Sequence, residues 1–145
     1  MAEPLGDELT QAIEEEKVKS MQDARERSHL LHSQYDWDVN DAKKVWCFGP
    51  DTTGANLLVD KTEQAQYLRE IRDSIEAGFQ LVTKEGVLTH ENQRGIRYNI
   101  MEILAHQDNA YRGGDQIIPA TRRAMYAAQL TAQPRYQEPV FLVQI

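Results

Sequence analysis

Asn56-Leu57-Leu58-Val59-Asp60, followed by Lys61-Thr62 and by a long segment closing on Thr83-Lys84-Glu85-Gly86, is the stretch that decides the fold. Three successive apolar residues between polar ends predict a short buried strand over 56–60. Downstream, Tyr67, Leu68, Ile71, Ile75, Phe79 and Val82 recur at three- and four-residue steps. That spacing lays one apolar stripe along a helix, predicted over 63–84 with Thr62 as its cap and Gly86 as its stop.

Working outward, Ile96, Tyr98 and Ile100 alternate with Arg97, Asn99 and Met101, which predicts a strand running on towards Ile103 and Leu104. Upstream, Val45-Trp46-Cys47-Phe48 is rich in β-formers and closed by Gly49-Pro50. Trp46 and Phe48 are expected on opposite faces of that strand. Helices are predicted over 6–19, capped by Asp7, and over 23–35, with a helical turn over 39–43 opened by Asp38. Pro119 is placed at the start of a further helix over 120–132, and Val140-Phe141-Leu142-Val143 is expected as a final strand. The class is α+β: a two-layer sandwich with the helices on one face of the sheet. The sheet is expected from the segments near Val45, Leu58, Tyr98 and Leu142.

The 145 residues suit one domain, and 41% hydrophobic against 27% charged residues is an ordinary soluble composition. No apolar run reaches the roughly 18 residues a membrane helix needs, and the acidic start Met1-Ala2-Glu3-Pro4 is no signal peptide. Cys47 is the single cysteine, so an internal disulfide is excluded and a reducing compartment fits. The net charge of −7 opposes non-specific nucleic-acid binding; any RNA contact has to come from a local patch.

The densest cluster of chemistry is the loop 105–119. His106, Asp108, Asn109, Tyr111 and Arg112 precede the pair Gly113-Gly114. Glycines admit backbone angles that other residues avoid, and such a loop can thrust polar side chains outward from a rigid base. His106 and Asp108 invite an acid–base reading, but no nucleophile accompanies them. A recognition loop is the alternative: Arg112 pairing with phosphate, the glycines permitting close approach, and His106, Asn109 and Tyr111 bonding to or stacking on bases. A plain connector is the third reading.

Other motifs carry less. Gly49-Pro50-Asp51-Thr52-Thr53-Gly54 lacks the Gly-Lys-Ser/Thr ending that grips phosphate and magnesium, so it is taken as a turn. His29 and His32 lack further ligands and are taken as surface histidines; no metal or cofactor is expected. The run Glu14-Glu15-Glu16 is a solvated face.

Several words of the sequence read together like those of one family. They are Tyr35-Asp36-Trp37-Asp38-Val39, Val45-Trp46-Cys47-Phe48-Gly49-Pro50-Asp51, Gly54-Ala55-Asn56-Leu57-Leu58-Val59-Asp60, Ala77-Gly78-Phe79-Gln80, Arg112-Gly113-Gly114 with Gln116-Ile117-Ile118-Pro119, and Glu138-Pro139-Val140-Phe141-Leu142-Val143. In this order the chain resembles the fourth domain of elongation factor 2, the translocation GTPase of eukaryotic and archaeal ribosomes. Residues 1–137 are assigned to that domain and 138–145 to a strand opening the fifth.

The resemblance implies a fold like the second domain of ribosomal protein S5, with β-α-β units and with further strands of the sheet preceding Met1. It implies a cytoplasmic factor whose tip loop enters the decoding site, meets rRNA, tRNA and mRNA, and follows the tRNA–mRNA duplex during translocation. It implies contacts with the factor's remaining domains, one of which hydrolyses GTP, so no enzyme activity is expected of this domain. The implied contact residues are His106, Asp108, Asn109, Tyr111, Arg112, Gly113 and Gly114. The family pattern His-x-Asp-x-x-His-Arg-Gly-Gly-Gly is broken twice. Tyr111 stands at the histidine that becomes diphthamide, and Asp115 replaces the third glycine. Alternatives are the related spliceosomal GTPase, which shares Tyr35-Asp36-Trp37-Asp38 and Gly49-Pro50-Asp51, a ribosome-biogenesis GTPase, and a stand-alone binding module.

Overall fold

In the computed structural model, which describes residues 1–145, four strands form one sheet in the order β1-β4-β3-β2. β1 is Ala2–Pro4, β2 Val45–Gly49, β3 Asn56–Asp60 and β4 Ile96–Ile100. The helices are α1 (Asp7–Glu14), α2 (Ala24–Tyr35), α3 (Val39–Lys43), α4 (Leu68–Lys84) and α5 (Gly114–Thr131). β3 and β4 are parallel neighbours joined through α4, while β2 on β3 and β1 on β4 are antiparallel. The α+β class is the one the sequence predicts, and the β-α-β unit is one the family resemblance implies.

β3 is buried along its whole length, as its apolar run requires. Its alternation divides the core. Leu57 and Val59 face α1, α2 and α3, packing with Leu9, Ile13, Leu31 and Trp37. Leu58 faces the other way with Tyr98, meeting Ile71, Ile75, Phe79 and Val82 of α4 and Met125 of α5. Helices therefore cover both faces of the sheet, where the sequence reading placed them on one. The second layer was hidden because α1 and α2 are short, and each offers only a few core residues.

β2 carries a bulge between Val45 and Cys47. In plain alternation residues two apart share a face. Here the extra residue resets the register, so Trp46 packs beside the α4 side while Phe48 is buried on the α1–α3 side. The two aromatics do lie on opposite faces, but the bulge is the cause.

Several boundaries shift. Asp7 is the first residue of α1 rather than its cap; Gly6 holds that place with φ 93° and without a side-chain bond, and α1 ends at Glu14. α4 begins at Leu68, five residues later than expected, because Thr62 is spent elsewhere: its N–H and Oγ1 donate to Asp60 Oδ1 at 2.9 and 2.6 Å. Asp38, by contrast, caps α3 through backbone N–H groups as the sequence predicts, and Asp23, expected as the first residue of its helix, caps α2 in the same way.

α5 begins at Gly114, so Pro119 lies inside the helix rather than at its start. The missing hydrogen bond falls at an exposed position. The expected strand over 140–143 is absent. Val140, Phe141, Leu142 and Val143 are exposed and unpaired, and Leu142 is no part of the sheet. The fourth place belongs to β1, which the sequence reading missed. Glu3 pairs with Arg97 there, and Leu5 N–H donates to Gly95 O at 2.8 Å.

Candidate functional site

α4 and α5 pack side by side in the same direction. Glu70 meets Arg112, Gly114 lies beside Ser74, Gly78 beside Thr121, and Gln129 near Gly86. Gly78 makes the contact close: a Cβ there would come within 2.8 Å of Thr121 Cγ2. The two helix N-termini therefore lie at one end of the molecule, with the loop 105–113 across them. The far end of α5 is locked by a buried chain of bonds. Tyr98 Oη donates to Gln93 Oε1 at 2.7 Å, and Gln93 Nε2 donates to Gln129 Oε1 at 2.9 Å. Tyr126 Oη adds a bond to Glu85 O at 2.7 Å.

Within the loop, Asn109–Tyr111 form a 3-10 turn capped by Asp108, whose Oδ1 accepts from Ala110 N–H at 3.0 Å. The carboxylate is thus spent on the backbone and does not pair with His106. The His106 Nδ1 accepts from Asp108 N–H at 3.0 Å. An imidazole accepting there carries its hydrogen on Nε2. The His106 ring lies 4.7 Å from that of Tyr111 at 56°, which makes a joint aromatic surface. His106, Gln107, Asp108, Asn109, Ala110 and Tyr111 are all exposed.

Arg112 departs from expectation. Its side chain is only 8% exposed and turns inward. Nε donates to Glu70 Oε2 at 3.0 Å, Nη1 donates to His106 O at 2.9 Å and also to Gln107 O, and the guanidinium lies 3.8 Å over the Tyr67 ring. In this conformation it holds the loop and offers no fork to a phosphate. Tyr67 was expected on the apolar stripe of the long helix and instead precedes α4, exposed, under the guanidinium; Glu70 was not singled out from the sequence. Both lie over forty positions away, and no local signal marks such a pairing.

The glycines also act differently from expectation. Gly113 has φ −71° and caps α5, while Gly114 is helical, so neither uses the left-handed region. Gly113 instead gives room: a Cβ would meet Asp115 Oδ1 at 2.7 Å. Asp115 sits in the first turn of α5, where a carboxylate suits the helix dipole. It therefore has a role inside the chain. Behind the tip, an apolar groove of about 440 Å³ runs between Ile100–Leu104 and α5. No helix is long and apolar enough to cross a membrane.

Residues 16–133 match the family of elongation factor G, domain IV. The chain belongs to that family. Domain IV is a non-catalytic part of GTPase factors that drive translocation, and membership implies interaction with the ribosome and with other domains of such a factor. Within this domain IV the loop 105–113 sets six consecutive exposed residues, His106 to Tyr111, on a braced backbone.

Proposed function

We propose that this chain serves as domain IV of an elongation factor 2-like translocation factor and acts through its tip loop at the decoding site of a cytoplasmic ribosome. The carrying observation is the loop itself. Six consecutive exposed residues, His106 to Tyr111, stand on a capped turn at the common N-terminal end of α4 and α5. His106, Asn109 and Tyr111 supply donors and aromatic faces for unstacked bases, and Asp108 shapes the turn. Gly113 and Gly114 set the entry into α5. The partners are rRNA, tRNA and mRNA.

Contact of this kind agrees with the net charge of −7, because shape, stacking and hydrogen bonding carry it rather than a basic field. Tyr111 occupies the diphthamide position and leaves it without an imidazole. The exposed run Val140–Val143 supports reading residues 1–137 as this domain and 138–145 as a strand that pairs within a following one.

Binding of the purified chain to small ribosomal subunits, vacant and tRNA-loaded, tests the reading. Tyr111→Ala and His106→Ala should each weaken binding to the loaded subunit, by the roughly 1–3 kcal/mol typical of base–aromatic stacking. Equal binding by parent and variants refutes a role for the tip. Selective recovery of spliceosomal RNA instead would move the chain to the related spliceosomal GTPase.

A further inference from the structure

We propose that Arg112 is a positioning residue of the tip, held in a socket made by Tyr67 and Glu70 of the α4 entrance, and that it touches no nucleic acid. The inference rests on the functional reading above and assigns that site its internal brace.

Arg112 closes the loop on itself by donating to the carbonyls of His106 and Gln107, five and six positions upstream. With the same guanidinium it ties the closed loop to the body, through Glu70 Oε2 at 3.0 Å and the face of Tyr67 at 3.8 Å. The residues from His106 to Tyr111 are exposed, and the hydrogen bond from this loop to α4 is the one Arg112 makes. A planar fork is needed for this. Lysine offers a point charge that cannot bridge two carbonyls, reach a carboxylate and stack on a ring together. Tyr67 is shaped for its part. It takes a left-handed φ of 59° immediately before α4, which brings its ring to the tip side of the helix. A tip that must meet a partner in one geometry gains from such an anchor, because disorder removed in advance is not lost on binding.

Two substitutions separate a brace from a phosphate contact by the sign of their effect. Glu70→Gln weakens the hold on Arg112. If Arg112 is a brace, binding to tRNA-loaded small subunits falls; if it grips phosphate, releasing it from a carboxylate strengthens binding. Arg112→Lys retains charge but not the fork, so a brace predicts a loss close to that of Arg112→Gln, roughly tenfold for a charge-assisted bond. The salt dependence of binding should stay unchanged in Arg112→Gln, whereas loss of a phosphate contact lowers the slope by about one. Tyr67→Phe keeps the ring and should behave as the parent.

Hydrogen exchange on the unbound chain reads the brace independently. Amides 106–111 should exchange roughly tenfold faster in Arg112→Lys, with amides around Phe79 and Tyr98 unchanged. Unchanged loop exchange, stronger binding by Glu70→Gln, or a reduced salt slope overturns the proposal. If the parent binds no ribosomal subunit while loop exchange still rises in Arg112→Lys, the functional reading fails and the brace stands as a feature of the fold.

Discussion

Arg97 Nη2 donates to Asp41 Oδ2 at 2.7 Å, joining β4 to α3 across 56 positions of chain. Lys61 Nζ approaches the same oxygen at 3.2 Å, and the Arg97 guanidinium lies 4.0 Å over Trp37. Burial pushes the Asp41 carboxyl up, but the hydrogen bonds and charges of Arg97 and Lys61 outweigh it and hold it below the usual carboxylate value. A depressed folded value means the contribution to stability is complete above the ordinary pKa and is lost as pH falls through the depressed one. Asp41→Asn should therefore flatten the acid limb of the stability curve. At neutral pH it should cost roughly 1–3 kcal/mol, because Arg97 is buried and loses its nearest carboxylate, keeping only Asn99 and the more distant Glu3. Urea midpoints from about pH 6 to about pH 2 measure both. A variant whose acid limb runs parallel to the parent's would remove Asp41 from the account.

Ile75 sits on the buried face of α4, 6% exposed, in one cluster with Tyr98 and Met125. Ile75→Asp places a charge there with no partner. It should lower stability by about 3–5 kcal/mol or unfold the chain. Chemical denaturation checks this; a midpoint equal to the parent's would mean the α4 face is assigned wrongly.

These two sites also mark what the sequence disclosed. Ile75 was legible because helical periodicity is local, and Leu57 to Val59 were legible because a fully buried strand needs an unbroken apolar run. The Asp41–Arg97 link was not, since neither residue signals its partner 56 positions away. β1 escaped for the same reason: Ala2-Glu3-Pro4 has no β signature and becomes a strand only because β4 offers its edge. At the tip, the exposed residues were found from composition and loop position. The inward turn of Arg112 was not, because an arginine beside two glycines suits a phosphate contact and a backbone brace equally well. Asp60 taking both donors of Thr62 displaced the start of α4 in a way no capping rule anticipates.

Cys47 belongs to the bulged stretch of β2 and packs beside the α4 cluster. Burial, aided by the charge of Glu76, pushes its thiol up to about 12, against the weaker opposing effects of Arg72 and Gln80. The thiolate is the reactive form, so native Cys47 should be nearly inert to iodoacetamide at neutral pH and react at the ordinary rate once the chain is unfolded. The two rates, followed by intact mass, give the comparison. Native labelling as fast as denatured labelling would contradict the packing of β2.

Tyr111 ends the capped turn of the tip, 56% exposed, with its ring against His106. Diphthamide is built on an imidazole carbon of histidine, and tyrosine has no imidazole. The chain should therefore gain no mass when exposed to the complete modification machinery, and should resist toxins that ADP-ribosylate that residue. His106 is not expected to substitute, because its Nδ1 is engaged with the Asp108 N–H at 3.0 Å and it lies five positions upstream of Tyr111, the proposed diphthamide position. Tyr111→His restores the ring. Whether that suffices depends on Asp115, whose carboxylate folds back over Gly113. The backbone at Gly113 is regular, with φ −71°, so Asp115 acts through charge and bulk rather than by distorting the turn. The single variant is thus expected to accept the modification, and Tyr111→His with Asp115→Gly to accept it faster. The added glycine should cost up to about 1 kcal/mol of helix stability in α5. Intact mass decides each step. Modification of the unaltered loop would defeat the claim about Tyr111, and a double variant no faster than the single would show that Asp115 has no bearing on access.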